Sequence, residues 1–364
     1  MLKNKINILF ICPYPVGQSP SQRFRFEQYF DLLRSKGYYY EIHPFFTLST
    51  WEILYTHGHS IRKIFGVLNG FMKRLLLLPS LWKYDFVFIH REASPAGPPW
   101  LEWVIAKIFW KKIIYDFDDA IWMSDEFTES NLLKVLKWRQ KVQQIIKSSW
   151  KISCGNQFLK NYASQFNKNS FLNPTTIDTL NLHKSPRSLN FDKKDKITIG
   201  WTGSHSTIKY LEIVHPILFS LSSKYKNVEF IIIANAKPTI LLERLQFIEW
   251  SLLTEIEDLS KIDIGIMPLP NDDWSKGKCG FKLLQYMALG IPCIGSKVGA
   301  NIEIVNDGIN GFLCSTEEEW FVALEKLILD ENLRSFIGSN GRSTIVDKYS
   351  VQSNEDNFLK FFNL

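Results

Sequence analysis

The chain has 364 residues, 45% hydrophobic and 14% aromatic, with 43 Lys and Arg against 37 Asp and Glu for a net charge of +6. That apolar content excludes a disordered chain, and the length exceeds what one ordinary core supports, so two domains are expected. The five cysteines (Cys12, Cys154, Cys279, Cys293, Cys314) stand at no metal-ligand or redox spacing, which excludes a disulfide framework and fits free, buried thiols in a reducing compartment.

The start, MLKNKINILFICPYP, has a basic lead but too short an apolar run for a secretory signal. The run LLLLPSLW at 75–82 is far below the ~20 residues that span a bilayer, so a cytoplasmic protein is expected. Short runs rich in Ile, Val and Phe follow at 6–12, 86–90, 113–117 and 150–154, and read as buried parallel strands. Helical patterns lie between them near 22–36, 57–79, 98–110 and 130–149. The segment 181–196 is polar, charged and broken by Pro186, and reads as a linker. Strand patterns then resume at 197–201, 228–234, 262–268, 291–296 and 311–314, with helices near 207–224, 252–260, 280–289 and 317–329.

This alternation predicts an α/β chain of two tandem Rossmann-like domains. The first spans 1–180 and the second 197–345, with 346–364 a terminal helix returning towards the first domain. Charge divides the same way. Residues 1–180 hold 23 basic against 14 acidic side chains, and residues 181–364 hold 20 against 23. The windows 53–84 and 130–177 carry five and eight basic residues and no acid, which suits an anionic membrane surface. No nucleic-acid-binding module is present.

Ligands of open parallel sheets bind beyond the carboxyl ends of the strands. After the first strand, Gly17 relaxes the loop, and Arg23 and Arg25 open a helix. The G-x-G-x-x-G that a nicotinamide enzyme needs there is absent. His90 ends the second apolar run. Asp116, Asp118 and Asp119 cluster after the third, and alternation puts Asp116 and Asp118 on one face with Asp119 turned away. Such carboxylates act as bases, bind sugar hydroxyls, hold cations or cap a helix. In the second half, Gly203 and Ser204 offer donors to a phosphate, with Lys209 behind them. The run KGKCGFKLLQYMALGIP at 276–292 sets Lys276, Lys278 and Lys282 with Gly277 and Gly280 at a helix start. A helix N-terminus is already positive, so cations there call for an anion.

The run FKLLQYMALGIPCIGSKVGANIEIVNDGINGFL at 281–313 closely resembles the signature of retaining, family 4-type (group 1) glycosyltransferases, which have two Rossmann domains in the GT-B arrangement. NPTTIDT at 173–179 resembles their interdomain segment, and GWTGSHSTIKYL falls at their donor-phosphate loop. The resemblance implies transfer of a sugar from a nucleotide diphosphate, UDP or GDP, to a cell-surface polysaccharide or lipid-linked acceptor. It implies retention at the anomeric carbon, no required metal and no separate cofactor. By motif position, the donor site would draw on Gly17, Gly203, Ser204, Lys209, Lys278, Gly280, Phe281, Lys282 and Gln285. Arg23, Arg25, His90 and Asp119 would lie on the acceptor side, and Asp116, Asp118 and Lys282 would carry catalysis. Gly277 and Gln285 replace the two glutamates usual in the family, and Gly203 falls near its loop arginine. These departures leave one alternative, a catalytically silent protein of this fold that binds a sugar nucleotide or scaffolds polysaccharide assembly. The basic first half, with its Leu/Trp-rich region 64–82, implies peripheral docking on the inner face of the cell membrane.

Overall fold

The computed structural model describes residues 6–56, 58–123, 137–184 and 196–363. The chain divides into two compact units, Met1–Thr175 with Glu355–Leu364, and Thr176–Asn354. The divisions fall at 175/176 and 354/355, against the boundaries expected at 180 and 346. Most of the linker at 181–196 and the start of the helix pattern at 130–149 lie outside the described residues.

The first unit is built on β1 (Asn7–Cys12), β2 (Tyr39–Pro44), β3 (Phe86–His90), β4 (Lys112–Phe117), β5 (Lys151–Cys154) and β6 (Ser170–Leu172). All pair in parallel, in the order β2-β1-β3-β4-β5-β6. The central strands read as unbroken apolar runs because both faces are covered: every residue of β3, and all but the first of β1 and β4, is buried. Phe10, Phe26 and Phe88 pack ring against ring at 5.1–5.5 Å. The terminal segment closes this core. Phe358 stacks on Tyr29 at 4.1 Å, Phe362 reaches Phe86 and Phe88, and Asn357 donates to the Leu172 carbonyl.

The second unit carries β7 (Ile197–Gly203), β8 (Val228–Ala234), β9 (Leu245–Glu249), β10 (Ile264–Met267), β11 (Cys293–Ser296) and β12 (Phe312–Cys314). They form a second parallel sheet in the order β12-β11-β10-β7-β8-β9. Trp201, Leu218, Phe230, Ile264 and Leu324 belong to its core. The helix Glu317–Leu329 begins with a full capping box between Thr316 and Glu319. The segments entering and leaving this unit pair with each other: Ile177 donates to the Tyr349 carbonyl, and Val351 donates back to that of Ile177.

Three expected helices are broken; the terminal one at 346–364 is reduced to a short helix, Glu355–Leu359, between 3-10 turns at Gln352–Asn354 and Lys360–Phe362. The pattern at 22–36 resolves into turns at Pro20–Arg23 and Glu27–Tyr29 and a helix at Phe30–Ser35. That at 207–224 becomes a 3-10 turn, Ile208–Ile213, and a helix, His215–Lys224, restarted by Pro216 near its first position. All five cysteines are free and buried.

Candidate functional site

In the first unit, strand register assembles the charged groups. His90 lies opposite Asp116, and Asp116 opposite Ser153, so β3, β4 and β5 place three polar side chains in a row at their carboxyl ends. Arg25 is inserted beside them. Its guanidinium is wholly buried, pairs with the Asp116 carboxylate and donates to the Asn173 carbonyl and to Ser153 Oγ. His90 Nδ1 lies 2.7 Å from Asp116 Oδ2. Burial works to raise the Asp116 pKa, but the Arg25 charge and the His90 hydrogen bond overcome it and hold the carboxyl well below the usual range. Asp116 is saturated by protein groups. Arg25, expected on the acceptor side, is consumed by this pair and presents no charge to solvent, because its side chain must satisfy a carboxylate with no water near it.

The alternation expected to set Asp116 and Asp118 on one face, with Asp119 turned away, does not reach Asp118. β4 ends at Phe117, so period-two alternation stops before Asp118. Asp118 instead pairs with Arg91 at 2.9 Å, and Asp119 lies 4.0 Å from the same guanidinium. Burial opposes ionisation of Asp118, and Arg91 outweighs it, so its pKa is lowered. Arg91 has a left-handed backbone, φ 60°, a strained conformation for a long side chain. Its carbonyl accepts from Tyr115 Oη at 2.6 Å, which holds it there. These three charged side chains are partly exposed, unlike Arg25 and Asp116. Arg91 also acts electrostatically on Tyr14, whose ring packs at 4.7 Å on Trp51. Aromatic faces beside a carboxylate–guanidinium pair can receive the apolar face and hydroxyls of a sugar ring.

Elsewhere in this unit, Gly17 has φ 80° and donates its amide to Glu27 at 2.8 Å. Arg23 lies over the Phe24 ring at 4.9 Å.

In the second unit, the helix Phe281–Ala288 starts at Gly280, whose φ of 66° favours glycine. A Cβ at Gly280 would lie 2.2 Å from Ile304 Cδ1, so the turn is also packed tight. Lys278 lies over Trp274 at 4.9 Å, and Lys282, the second residue of the helix, over Trp201 at 5.3 Å. Phe281 and Lys282 are half-buried. Lys276 pairs with Asp273 at 2.8 Å. A cation–glycine–cation sequence leading into the helix dipole is suited to an anion.

The other expected donor residues divide. At the end of β7, the Ser204 amide donates to Thr207 Oγ1 at 3.2 Å and its hydroxyl is paired with Ser206, so this turn is closed on itself. A Cβ at Gly203 would meet the Trp201 ring at 2.3 Å, so glycine serves packing there. Lys209 is exposed, beside the Tyr210 ring at 5.6 Å. Gln285, expected on a ribose, is 2% exposed and donates to Glu255 Oε1 at 3.3 Å. Neither Arg91 nor Glu255 was singled out from sequence. Arg91 follows His90 in a loop already marked, whereas Glu255 lies 30 residues before Gln285 with no local signal.

Residues 196–330, within the second unit, match the family model described as glycosyl transferases group 1. A stretch of 76 residues is 34% identical to N-acetyl-alpha-D-glucosaminyl L-malate synthase of Bacillus anthracis. Another of 71 residues is 38% identical to the capsular polysaccharide biosynthesis glycosyltransferase CapM of Staphylococcus aureus. The chain spans about a fifth of the length of these curated relatives, 20% and 19%. Two solved structures align along nearly all of it. Anabaena HepE in complex with UDP and glucose is 14% identical over 98% of this chain and 99% of its own, with a TM-score of 0.66. Sucrose-phosphate synthase of Thermosynechococcus elongatus is 12% identical over 98% of each chain, with a TM-score of 0.70. The fold is the one these glycosyltransferase structures share.

Proposed function

We propose that this chain is a retaining, metal-independent glycosyltransferase that moves a sugar from a nucleotide diphosphate to a saccharide or lipid-linked acceptor of the cell surface. The observation that carries the reading is the start of the helix Phe281–Ala288, with left-handed Gly280 between Lys278 and Lys282. Sugar transfer builds negative charge on the departing diphosphate and positive charge on the sugar. Lys282, Lys278 and the first helical N–H groups stabilise the leaving group as that charge appears, so they lower the barrier rather than only tightening the ground state. HepE has been solved with UDP and with UDP-glucose, which favours UDP as the base carrier here. The name of CapM supports a polysaccharide product.

In the first unit, Asp118, Asp119 and Arg91 offer the acceptor both donors and acceptors of hydrogen bonds. Asp116 and Arg25 act as positioning residues that fix His90 and the strand ends. Gln285 orients Glu255. A lipid-linked acceptor is met at the cytoplasmic leaflet, on which the basic first unit docks peripherally. The silent alternative rests on Gly277 and on Gln285 being buried.

Thermal-shift titration with UDP, GDP and ADP, together with UDP release from UDP-sugars, tests the reading. UDP at a hundredfold excess over its Kd stabilises by about 2.7 kcal/mol. Lys282→Ala is expected to lose that shift and to slow UDP release by about 10²–10³. A nucleotide shift without any sugar transfer or donor hydrolysis favours the silent reading. No shift with any nucleotide overturns the donor site.

A further inference from the structure

The helix Ser60–Leu77 is the most exposed apolar element of the first unit. Together with the turn Leu78–Lys83 it is long and apolar enough to cross a membrane by length and composition. Its packing argues against spanning. Gly66, Gly70, Arg74 and Leu77 recur on one side and are buried. A Cβ on Gly66 would lie 2.4 Å from the Thr50 side chain, and one on Gly70 2.3 Å from the Phe45 ring, so the helix backbone lies directly on its neighbours. Arg74 fastens it, donating to the carbonyls of Ala93 at 2.7 Å, His43 at 2.9 Å and Cys12 at 3.1 Å. Pulling this helix into a bilayer would strip three carbonyls and a buried guanidinium of their partners.

The opposite side is a continuous stripe. Ile61, Ile64, Phe65, Leu68, Met72 and Leu76 are 53–72% exposed. Beyond the helix end, Trp82 is 67% exposed and packs at 5.0 Å on Phe109, next to Trp110 at 82%. Lys111 donates to the Trp82 carbonyl and lies over its ring. Arg62, Lys63, Lys73 and Lys83 flank the stripe, and residues 53–84 and 103–115 contain no acid. The next acid, Asp85, accepts from the Asn7 amide.

We infer that this face lies flat in the interface of an anionic bilayer, with the helix Ser60–Leu77 parallel to the membrane plane and Trp82 and Trp110 at headgroup level. An apolar stripe flanked by these cations and tryptophans matches the charge and depth profile of an anionic leaflet. The inference deepens the leaflet-docking part of the proposed function and is independent of the transfer chemistry. It identifies which face docks and that the helix does not span.

Vesicle flotation of the full chain tests it, with phosphatidylcholine alone and with phosphatidylglycerol added. The wild type is expected to float with the anionic vesicles, less so at high salt, and to be released by alkaline carbonate. Leu68→Glu with Leu76→Glu should weaken this at least about tenfold while leaving the thermal melt and the UDP shift unchanged, because both side chains point away from the fold. Lys83→Glu with Lys111→Glu should remove the dependence on phosphatidylglycerol. Flotation that the leucine variant leaves intact, absence of flotation on anionic vesicles, or resistance to carbonate each overturns the inference. So does concentration-dependent self-association abolished by the leucine variant without any vesicle binding, which would assign the face to a second copy of the chain. UDP binding is read on the same samples, so a failed donor site and a failed docking face are told apart.

Discussion

In the first unit, Arg25 and Asp116 are both wholly buried and bound to each other, whereas in the second, Lys278 and Lys282 lie partly exposed over tryptophan rings. Sequence presents both as clusters of charge at strand or helix ends. The difference is in exposure. A carboxylate surrounded by a guanidinium, an imidazole and a hydroxyl cannot accept a ligand without stranding one of them. An ammonium over a ring gains about 0.5–2 kcal/mol from it, and these two remain partly exposed, where an arriving diphosphate can meet them. Buried charge therefore marks the frame, and half-buried charge marks the candidate site.

The largest expected effect tests the frame. Arg25→Met removes one partner of a buried pair and is expected to cost about 3–5 kcal/mol in the first unit, read by chemical denaturation. Lys282→Met in the second should cost under about 1 kcal/mol. The frame also fixes a pH dependence. The folded pKa of Asp116 lies below its unfolded value near 3.9, so its stabilisation is complete above that value and is lost as pH falls towards the folded one. Asp118 adds a contribution of the same sign. Asp116→Asn should accordingly flatten the acid side of the stability profile below about pH 4. An unchanged acid limb would show that the pair is not what holds the unit together.

A middle-sized effect tests the helix start. Gly280→Ala meets both an unfavourable φ of 66° and the Ile304 methyl, and should cost about 1–3 kcal/mol with weaker UDP binding. Adding Ile304→Ala relieves the contact but not the backbone strain. Partial recovery is therefore expected, and full recovery would mean that packing alone demands the glycine.

How much of this was legible in the sequence follows the same division. Strands covered on both faces were found within one or two residues, because burial writes an unbroken apolar run. The three strands missed, Tyr39–Pro44, Ser170–Leu172 and Leu245–Glu249, are all sheet edges, and most of their residues are not buried. Edge strands need no such run. Of the site, the lysine-bearing helix start was legible because cations and glycines there conflict with local propensity. The Arg25–Asp116 pair was not, because its members lie 91 positions apart and meet only through sheet register. Asp118 was set on one face with Asp116 by alternation carried past the end of its strand, so its pairing with Arg91 was missed, and the buried contact of Gln285 with Glu255 had no local signature.

The smallest expected effect sharpens the contrast among the lysines at and before the helix start. Lys276 and Lys278 stand two positions apart in the same basic run, yet Lys276 pairs with Asp273 at 2.8 Å with both side chains largely in water, while Lys278 rests on Trp274. An exposed i,i+3 pair contributes about 0.5 kcal/mol or less, and its field is screened within ~10 Å at ordinary salt. Lys276→Ala should therefore shift the melting temperature barely at all and change UDP affinity by less than about twofold, because Asp273 already cancels most of its charge. Lys282→Ala, by contrast, is expected to abolish the UDP shift. Isothermal titration of both variants at two salt concentrations reads the difference directly. Equal losses from the two would mean that summed positive charge around the helix start holds the nucleotide, rather than a cation placed in its first turn.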